Sequence, residues 1–172
     1  YLISPNKIYK NFYLDLKEVL ATKKVEFFQL RLKKISRNEL IKIGIKIKYI
    51  TNKHNVKFIV NDSPEIAKKI NADGCHIGQS DGKIIDAKKY LKNKIIGVTC
   101  HNSKKLALKA VKNNIQYIAF GSFYKSKLKP NAKTADIKIL KWAKKNIERP
   151  IVAIGGINDK NYRKLMKIKE IQ

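Results

Sequence analysis

Residues 58–81 read FIVNDSPEIAKKINADGCHIGQSD. Phe58, Ile59 and Val60 form a short apolar run that stops at Asn61-Asp62. A second run, Gly74 to Ile77, stops at Gly78-Gln79-Ser80-Asp81. Between them Ile66, Ala67 and Ile70 are spaced as one face of a helix. The stretch predicts a strand, a helix and a second strand, with an acid just past each strand end. If the strands are parallel neighbours, Asp62 and Asp81 emerge at the same end of the sheet. Two adjacent carboxylates repel and raise each other's pKa. A divalent cation relieves that repulsion, and hard Mg²⁺ takes one or two carboxylates together with phosphate oxygens. The plainer alternative makes each Asp a helix N-cap. For the pair at matching strand ends, a metal site is the expectation.

Outward from this unit, the whole 172-residue chain is long enough for one domain with a sizeable core. Hydrophobic residues make up 44% and charged residues 30%, as in ordinary globular proteins. No apolar run approaches the roughly 18 residues of a membrane span, so no membrane partner is expected. No signal peptide is expected, and since the sequence starts at Tyr1 without Met, a trimmed N-terminus is the expectation. Its two cysteines, Cys75 and Cys100, are not spaced as a zinc site and suit a reducing cytoplasm.

The formal net charge is +26. Basic surfaces bind phosphate backbones. Yet of 39 basic residues only Arg31, Arg37, Arg149 and Arg163 are arginine, the residue that base readout and bidentate phosphate contacts favour. The lysines are spread along the chain. A generic positive surface is therefore expected, one that attracts anionic substrates without binding a specific nucleic acid.

In chain order, strands are expected at Leu2-Ile3, Val25–Leu30, Phe58–Val60, Gly74–Ile77, Ile95–Thr99, Tyr117–Phe120 and Ile151–Ile154. Helices are expected over Phe12–Ala21, from Ser36 through Tyr49, over the 63–72 segment, Asp86–Leu91, Leu106–Val111, Asp136–Asn146 and Tyr162 to about Ile168. Ser36 with Glu39 reads as a capping box. Short apolar strands alternating with helices predict a parallel sheet covered by helices. Polar or glycine residues follow nearly every strand: Gln29 and Arg31, Asn61 and Asp62, Gln79 and Asp81, Thr99, Gly121, Gly155 and Gly156. In a (β/α)₈ TIM barrel those positions form the catalytic face. A doubly wound open sheet, which gathers function at one crevice, is the alternative. The expected fold class is α/β, a (β/α)₈ TIM-barrel type with seven βα units.

The blocks Gln29–Lys33 (QLRLK), FIVND, HIGQSD, Gly97–His101 (GVTCH), the 120–129 loop (FGSFYKSKLK) and Val152–Ile157 (VAIGGI) resemble thiamine-phosphate synthase. Six blocks in order span essentially the whole chain, and related thiazole tautomerases share the scaffold. The resemblance implies a transferase of thiamine biosynthesis. It joins an aminopyrimidine diphosphate to a thiazole phosphate and releases pyrophosphate, with Mg²⁺ as cofactor. By the same resemblance Gln29 reads the pyrimidine edge. Arg31, Lys33, Asn61 and Lys129 hold the diphosphate, with Thr99 beside it. Asp62 and Asp81 bind Mg²⁺. Ser126, Lys127, Leu128 and Gly156 meet the thiazole phosphate.

The residue types suit that chemistry. Departure of diphosphate puts negative charge on the leaving group, which Mg²⁺, Arg and Lys stabilise. The electron-rich pyrimidine carries the positive charge, and the thiazole nitrogen captures it. No side-chain nucleophile is expected, and the catalytic work is positioning and electrostatics. Each assignment has a plainer rival. Arg31 and Lys33 alternate with leucines, as on the solvated face of an edge strand, and Gly155-Gly156 reads also as a tight turn. His76 and His101 stay unassigned.

Two departures from the family pattern stand out. Ser126-Lys127-Leu128-Lys129 occupies the place of a Thr-x-Thr-Lys run, and Leu128 has no hydroxyl to donate. The family also has an eighth strand and helix beyond the position of Gln172, so truncation at the C-terminus is expected. Two alternatives remain open: a tautomerase-like protein on the same scaffold, and a non-catalytic basic nucleic-acid-binding protein. The expected partners are small phosphorylated substrates, and a homo-oligomer stays open.

Overall fold

The computed structural model describes residues 1–80, 82–125 and 134–166. Seven strands and seven helices alternate along the chain: β1 (Leu2–Ile3), α1 (Phe12–Ala21), β2 (Phe27–Leu30), α2 (Arg37–Lys53), β3 (Lys57–Asn61), α3 (Pro64–Lys69), β4 (Gly74–Ile77), α4 (Ile84–Leu91), β5 (Ile95–His101), α5 (Lys104–Lys112), β6 (Tyr117–Gly121), α6 (Lys138–Asn146), β7 (Ile151–Ile154) and α7 (Tyr162–Met166). The chain forms two compact units. One comprises Tyr1–Ile77 and Asp81–Ile96, the other Gly78–Ser80 and Gly97–Gln172.

In the first unit β1 to β4 pair in parallel in sequence order, with Ile3 opposite Gln29, Gln29 opposite Ile59 and Asn61 opposite His76. Side chains two apart on a strand share a face. This register therefore puts Gln29, Ile59, Asn61 and His76 on one face of the sheet. Strands β3 and β4 are buried along most of their length. That is the pattern of a parallel sheet closed on both faces. Helix α1 turns Phe12, Leu16 and Leu20 inward at a spacing of four. The Phe28 ring lies 6.4 Å from those of Phe12 and Phe58. Phe58 is fully buried, so truncating it to alanine would cost about 3–5 kcal/mol.

In the second unit β5, β6 and β7 pair in parallel, with Thr99 opposite Ala119 and Gly121 opposite Ile154. The β5 register slips between Thr99 and His101. Such bulges re-aim side chains where pairing ends. Helix α6 buries Ile139, Leu140 and Ala143.

Several boundaries differ from the sequence expectation. Strand β2 starts at Phe27 rather than Val25. Helix α2 continues past Tyr49 to Lys53, because Ile50 and Thr51 are still on its buried face. Helix α6 starts at Lys138 rather than Asp136, whose carboxylate accepts the Lys138 N–H at 2.8 Å. Helix α4 starts two residues before Asp86, at Ile84. The Ser36 cap holds: its hydroxyl accepts the Glu39 N–H at 3.2 Å.

Candidate active site

The C-terminal ends of β2 and β3 bring three of the expected residues together. Gln29 is 3% exposed and its Nε2 donates to Asn61 Oδ1 at 3.0 Å. Asn61 Nδ2 in turn donates to Asp62 Oδ2 at 2.5 Å. A buried amide, a second amide and a carboxylate thus form one chain of hydrogen bonds leading outward from the core. The hydrogen bond donated by the Asn61 side-chain amide fixes one carboxylate oxygen of Asp62. Asp62 adopts a left-handed backbone, φ 59°, a conformation that Asp tolerates better than most residues. The N-cap of α3 is Ser63, with Pro64 at the start of the helix. The cap reading of Asp62 is therefore not what the structure adopts.

Arg31 and Lys33 follow β2 in the loop 31–36. They do not alternate along an edge strand, because β2 ends at Leu30. The Arg31 N–H donates to the hydroxyl of Ser4, 2.9 Å away, and the Ser4 N–H donates to the Gln29 carbonyl. Ser4 is itself 8% exposed. It pins the Gln29–Arg31 backbone from the neighbouring strand end.

The second unit holds Thr99 and Gly156. The Thr99 carbonyl accepts a hydrogen bond from Gln79 Nε2 at 2.5 Å. Beyond β7, Gly155 and Gly156 have φ of 94° and 67°. A Cβ on Gly155 would come within 2.1 Å of Ser122 Oγ, and one on Gly156 within 2.6 Å of the Tyr124 carbonyl. Only glycine fits here, both for its backbone and for the close approach of the loop after β6. That approach is tied by Tyr124 N–H to the Gly155 carbonyl at 3.0 Å. Asn161 Nδ2 donates to the Gly156 carbonyl at 2.8 Å, and Tyr124 Oη donates to the Asn161 carbonyl at 3.1 Å. His101, left unassigned from sequence, is exposed with φ 51°. Burial pushes the Cys100 thiol up to about 12, which keeps it protonated and unreactive near neutrality.

Asp81, Ser126, Lys127, Leu128 and Lys129 lie outside the described residues. Among the described residues no group of three or more His, Cys, Asp or Glu is placed to hold a metal. A site of one or two carboxylates needs no such group, since Mg²⁺ completes its shell with water and phosphate oxygens. Asp62 supplies a hard oxygen donor of that kind, fixed by Asn61. Sequence reasoning missed Ser4, Tyr124 and Asn161. Each acts through a contact distant in sequence, and only Tyr124 stands within a quoted block, the 120–129 loop, where its residue type gave no sign of the contact.

The family model described as thiamine monophosphate synthase matches residues 1–170. The chain belongs to the thiamine monophosphate synthase family. It is 58% identical over 167 residues to the thiamine-phosphate synthase of Pelagibacter ubique, which covers 96% of this chain and 81% of that protein. It is 38% identical over 172 residues to the thiamine-phosphate synthase of Erythrobacter litoralis, covering 97% and 81%. The solved thiamine phosphate pyrophosphorylase of Pyrococcus furiosus superposes with a TM-score of 0.85 at 29% identity, covering 97% of this chain and 79% of that one. A 3-hexulose-6-phosphate synthase superposes at 0.61 with 14% identity, a likeness of fold. The fold is thus α/β of the (β/α)₈-barrel type, with seven βα units among the described residues. No helix among those residues is long and apolar enough to cross a membrane.

Proposed function

We propose that this chain is a thiamine-phosphate synthase. It couples an aminopyrimidine diphosphate with a thiazole phosphate to give thiamine phosphate and pyrophosphate. The reading rests on the bonded series Gln29, Asn61 and Asp62 at the ends of β2 and β3, in a chain whose relatives are named for this reaction.

Gln29 has one amide hydrogen committed to Asn61 and keeps a carbonyl and a second hydrogen for a heterocycle edge. Arg31 and Lys33, just beyond it, together with Asn61, Thr99 and Lys129, hold the diphosphate. Arg31 suits this by its forked, permanently charged donors. Asp62, together with Asp81, holds Mg²⁺, which when bound offsets the charge that grows on the departing pyrophosphate. Ser126, Lys127, Leu128 and Gly156 receive the thiazole phosphate. At Gly156 the glycine backbone permits close approach of a phosphate. These residues bind and orient two anionic partners so that the thiazole nitrogen meets the pyrimidine methylene as its bond to diphosphate loosens. The gain comes from orientation and fixed charge.

We place the protein in the cytoplasm as one (β/α)₈-type domain whose partners are small phosphorylated molecules. Its two cysteines, Cys75 and Cys100, are buried, and a cysteine count this low suits a reducing compartment. The test is a coupling assay on purified protein with both substrates, with and without Mg²⁺. Thiamine phosphate and pyrophosphate should appear in equal amounts and only with the metal. Failure to form thiamine phosphate under both conditions would refute the proposal.

A further inference from the structure

The end of the first unit opposite Asp62 carries a cavity of about 380 Å³. It opens where β3 and β4 begin and is lined by Lys48, Lys57, Lys94, Asp73, Asn71 and Asn93. Three ammonium groups share it with one carboxylate. Lys48 Nζ binds Asp73 Oδ2 at 2.7 Å. Lys94 Nζ is held by Asn71 Oδ1 at 2.6 Å and the Ala72 carbonyl at 2.7 Å, both neutral. Lys57, the first residue of β3, is exposed and adds to the field around Asp73. The carboxylate balances one of the three cations, so the cavity keeps a formal charge of +2.

Burial, and then the charge of Lys48, lowers the pKa of Lys94, with Asp73 offsetting only part of this. The positive charges here work against one another, and an anion would relieve that. The volume falls in the range of small-molecule sites, too small for a macromolecule. The polar lining holds three ammonium groups and two side-chain amides against one carboxylate, with Ala72 and Ile95 completing the wall. That chemistry suits the several acceptor oxygens of a phosphate group.

We propose that this cavity is a second anion site, which takes a small phosphate-bearing molecule on Lys48, Lys57 and Lys94 at the strand end remote from Asp62. A plainer role for the cluster is to staple the start of β3 to the start of β4 through Asp73, which also accepts the Phe58 N–H at 2.8 Å. The staple uses Lys48 and leaves the other two lysines without an acidic partner in the cavity.

The test is a titration of the full chain followed by amide NMR, with inorganic phosphate in one arm and a simple phosphate monoester in the other. The amides of residues 71–73 and 93–94 should shift and saturate in at least one arm. Saturation by phosphate identifies the free ion as sufficient, and saturation by the monoester alone identifies an ester. Lys57→Gln changes an exposed side chain and should weaken binding on the order of fivefold. Asp73→Asn, which removes the one negative group, should tighten it. Arg31→Gln should leave these shifts unchanged, separating the site from the diphosphate site of the proposed reaction. Silent amides in both arms, or an unchanged dissociation constant in Lys57→Gln, would overturn the proposal.

Discussion

Gln29 is a buried amide whose place depends on Asn61, two positions along the same sheet face in the neighbouring strand. Replacing it with alanine leaves Asn61 Oδ1 without that donor. An unsatisfied buried polar group costs about 1–3 kcal/mol, and half-buried Asn61 puts the loss toward the low end of that range. Gln29→Ala should therefore lower thermal stability measurably and raise KM for the pyrimidine diphosphate. A variant with unchanged KM would remove Gln29 from the substrate site. Asp62→Asn keeps the shape but removes the charge. Diphosphate binding followed by calorimetry should lose at least about tenfold of its Mg²⁺ enhancement. Equal enhancement in the variant and the parent would take Asp62 out of the metal site. The place of Asp62 just past the end of β3 was legible in sequence, because an acid directly after a short apolar run is conspicuous. The bonds from Gln29 to Asn61 and from Arg31 to Ser4 were not, because they depend on strand register, which no local pattern of residues reveals.

Strand β3 carries two kinds of chemistry at its ends, Lys57 at the start and Asn61 with Asp62 at the finish. Its apolar middle, Phe58 to Val60, made the strand readable, as the spacing of Phe12, Leu16 and Leu20 made α1 readable to the residue. Where the reading drifted at the start of α6, a local polar contact, the Lys138 N–H on the Asp136 carboxylate, set the boundary instead of apolar periodicity. Asp73 illustrates such a contact. Burial alone would raise its pKa, but the hydrogen bonds from Lys48 and Phe58 N–H and the charges of Lys48 and Lys57 outweigh it and hold it below 3.8. A carboxyl whose folded pKa is depressed stabilises the fold above the unfolded value and loses that contribution as pH falls through the folded one. Asp73→Asn should thus cost about 1–2 kcal/mol at neutral pH. The gap to the parent should close as pH drops from 3.8 through the lower folded value. Denaturant unfolding across that range checks it. A gap independent of pH would mean that the ion pair with Lys48 contributes nothing.

Across the whole molecule, 39 basic residues face 13 acidic ones, so at most one basic residue in three can be matched by an acid of its own chain. The described ion pairs are Arg37 with Glu65, Lys48 with Asp73, and Lys89 with Asp86. The pairs of Arg37 with Glu65 and of Lys89 with Asp86 are exposed and worth little each. The surface field is the larger consequence, and it draws anionic substrates from every direction. Nucleic acid would feel the same field. Its contacts would be lysine on phosphate, which carry no sequence information. Binding to a random duplex should therefore be weak, roughly 10⁻⁴ to 10⁻⁶ M at physiological salt, and should fall linearly as log salt rises. A scrambled and a defined duplex should give the same curve in fluorescence anisotropy. Among the described residues the exposed aromatics Tyr1, Tyr9, Tyr49, Tyr90 and Tyr162 lie on different elements or connecting segments. Tyr162 alone has an arginine, Arg163, as its neighbour in sequence, and aromatics so dispersed do not form the row of a stacking platform. A tight complex selective for one sequence, persisting as salt is raised, would require recognition by residues other than these dispersed lysines. It would replace the synthase reading with one in which the barrel serves as a scaffold for nucleic acid.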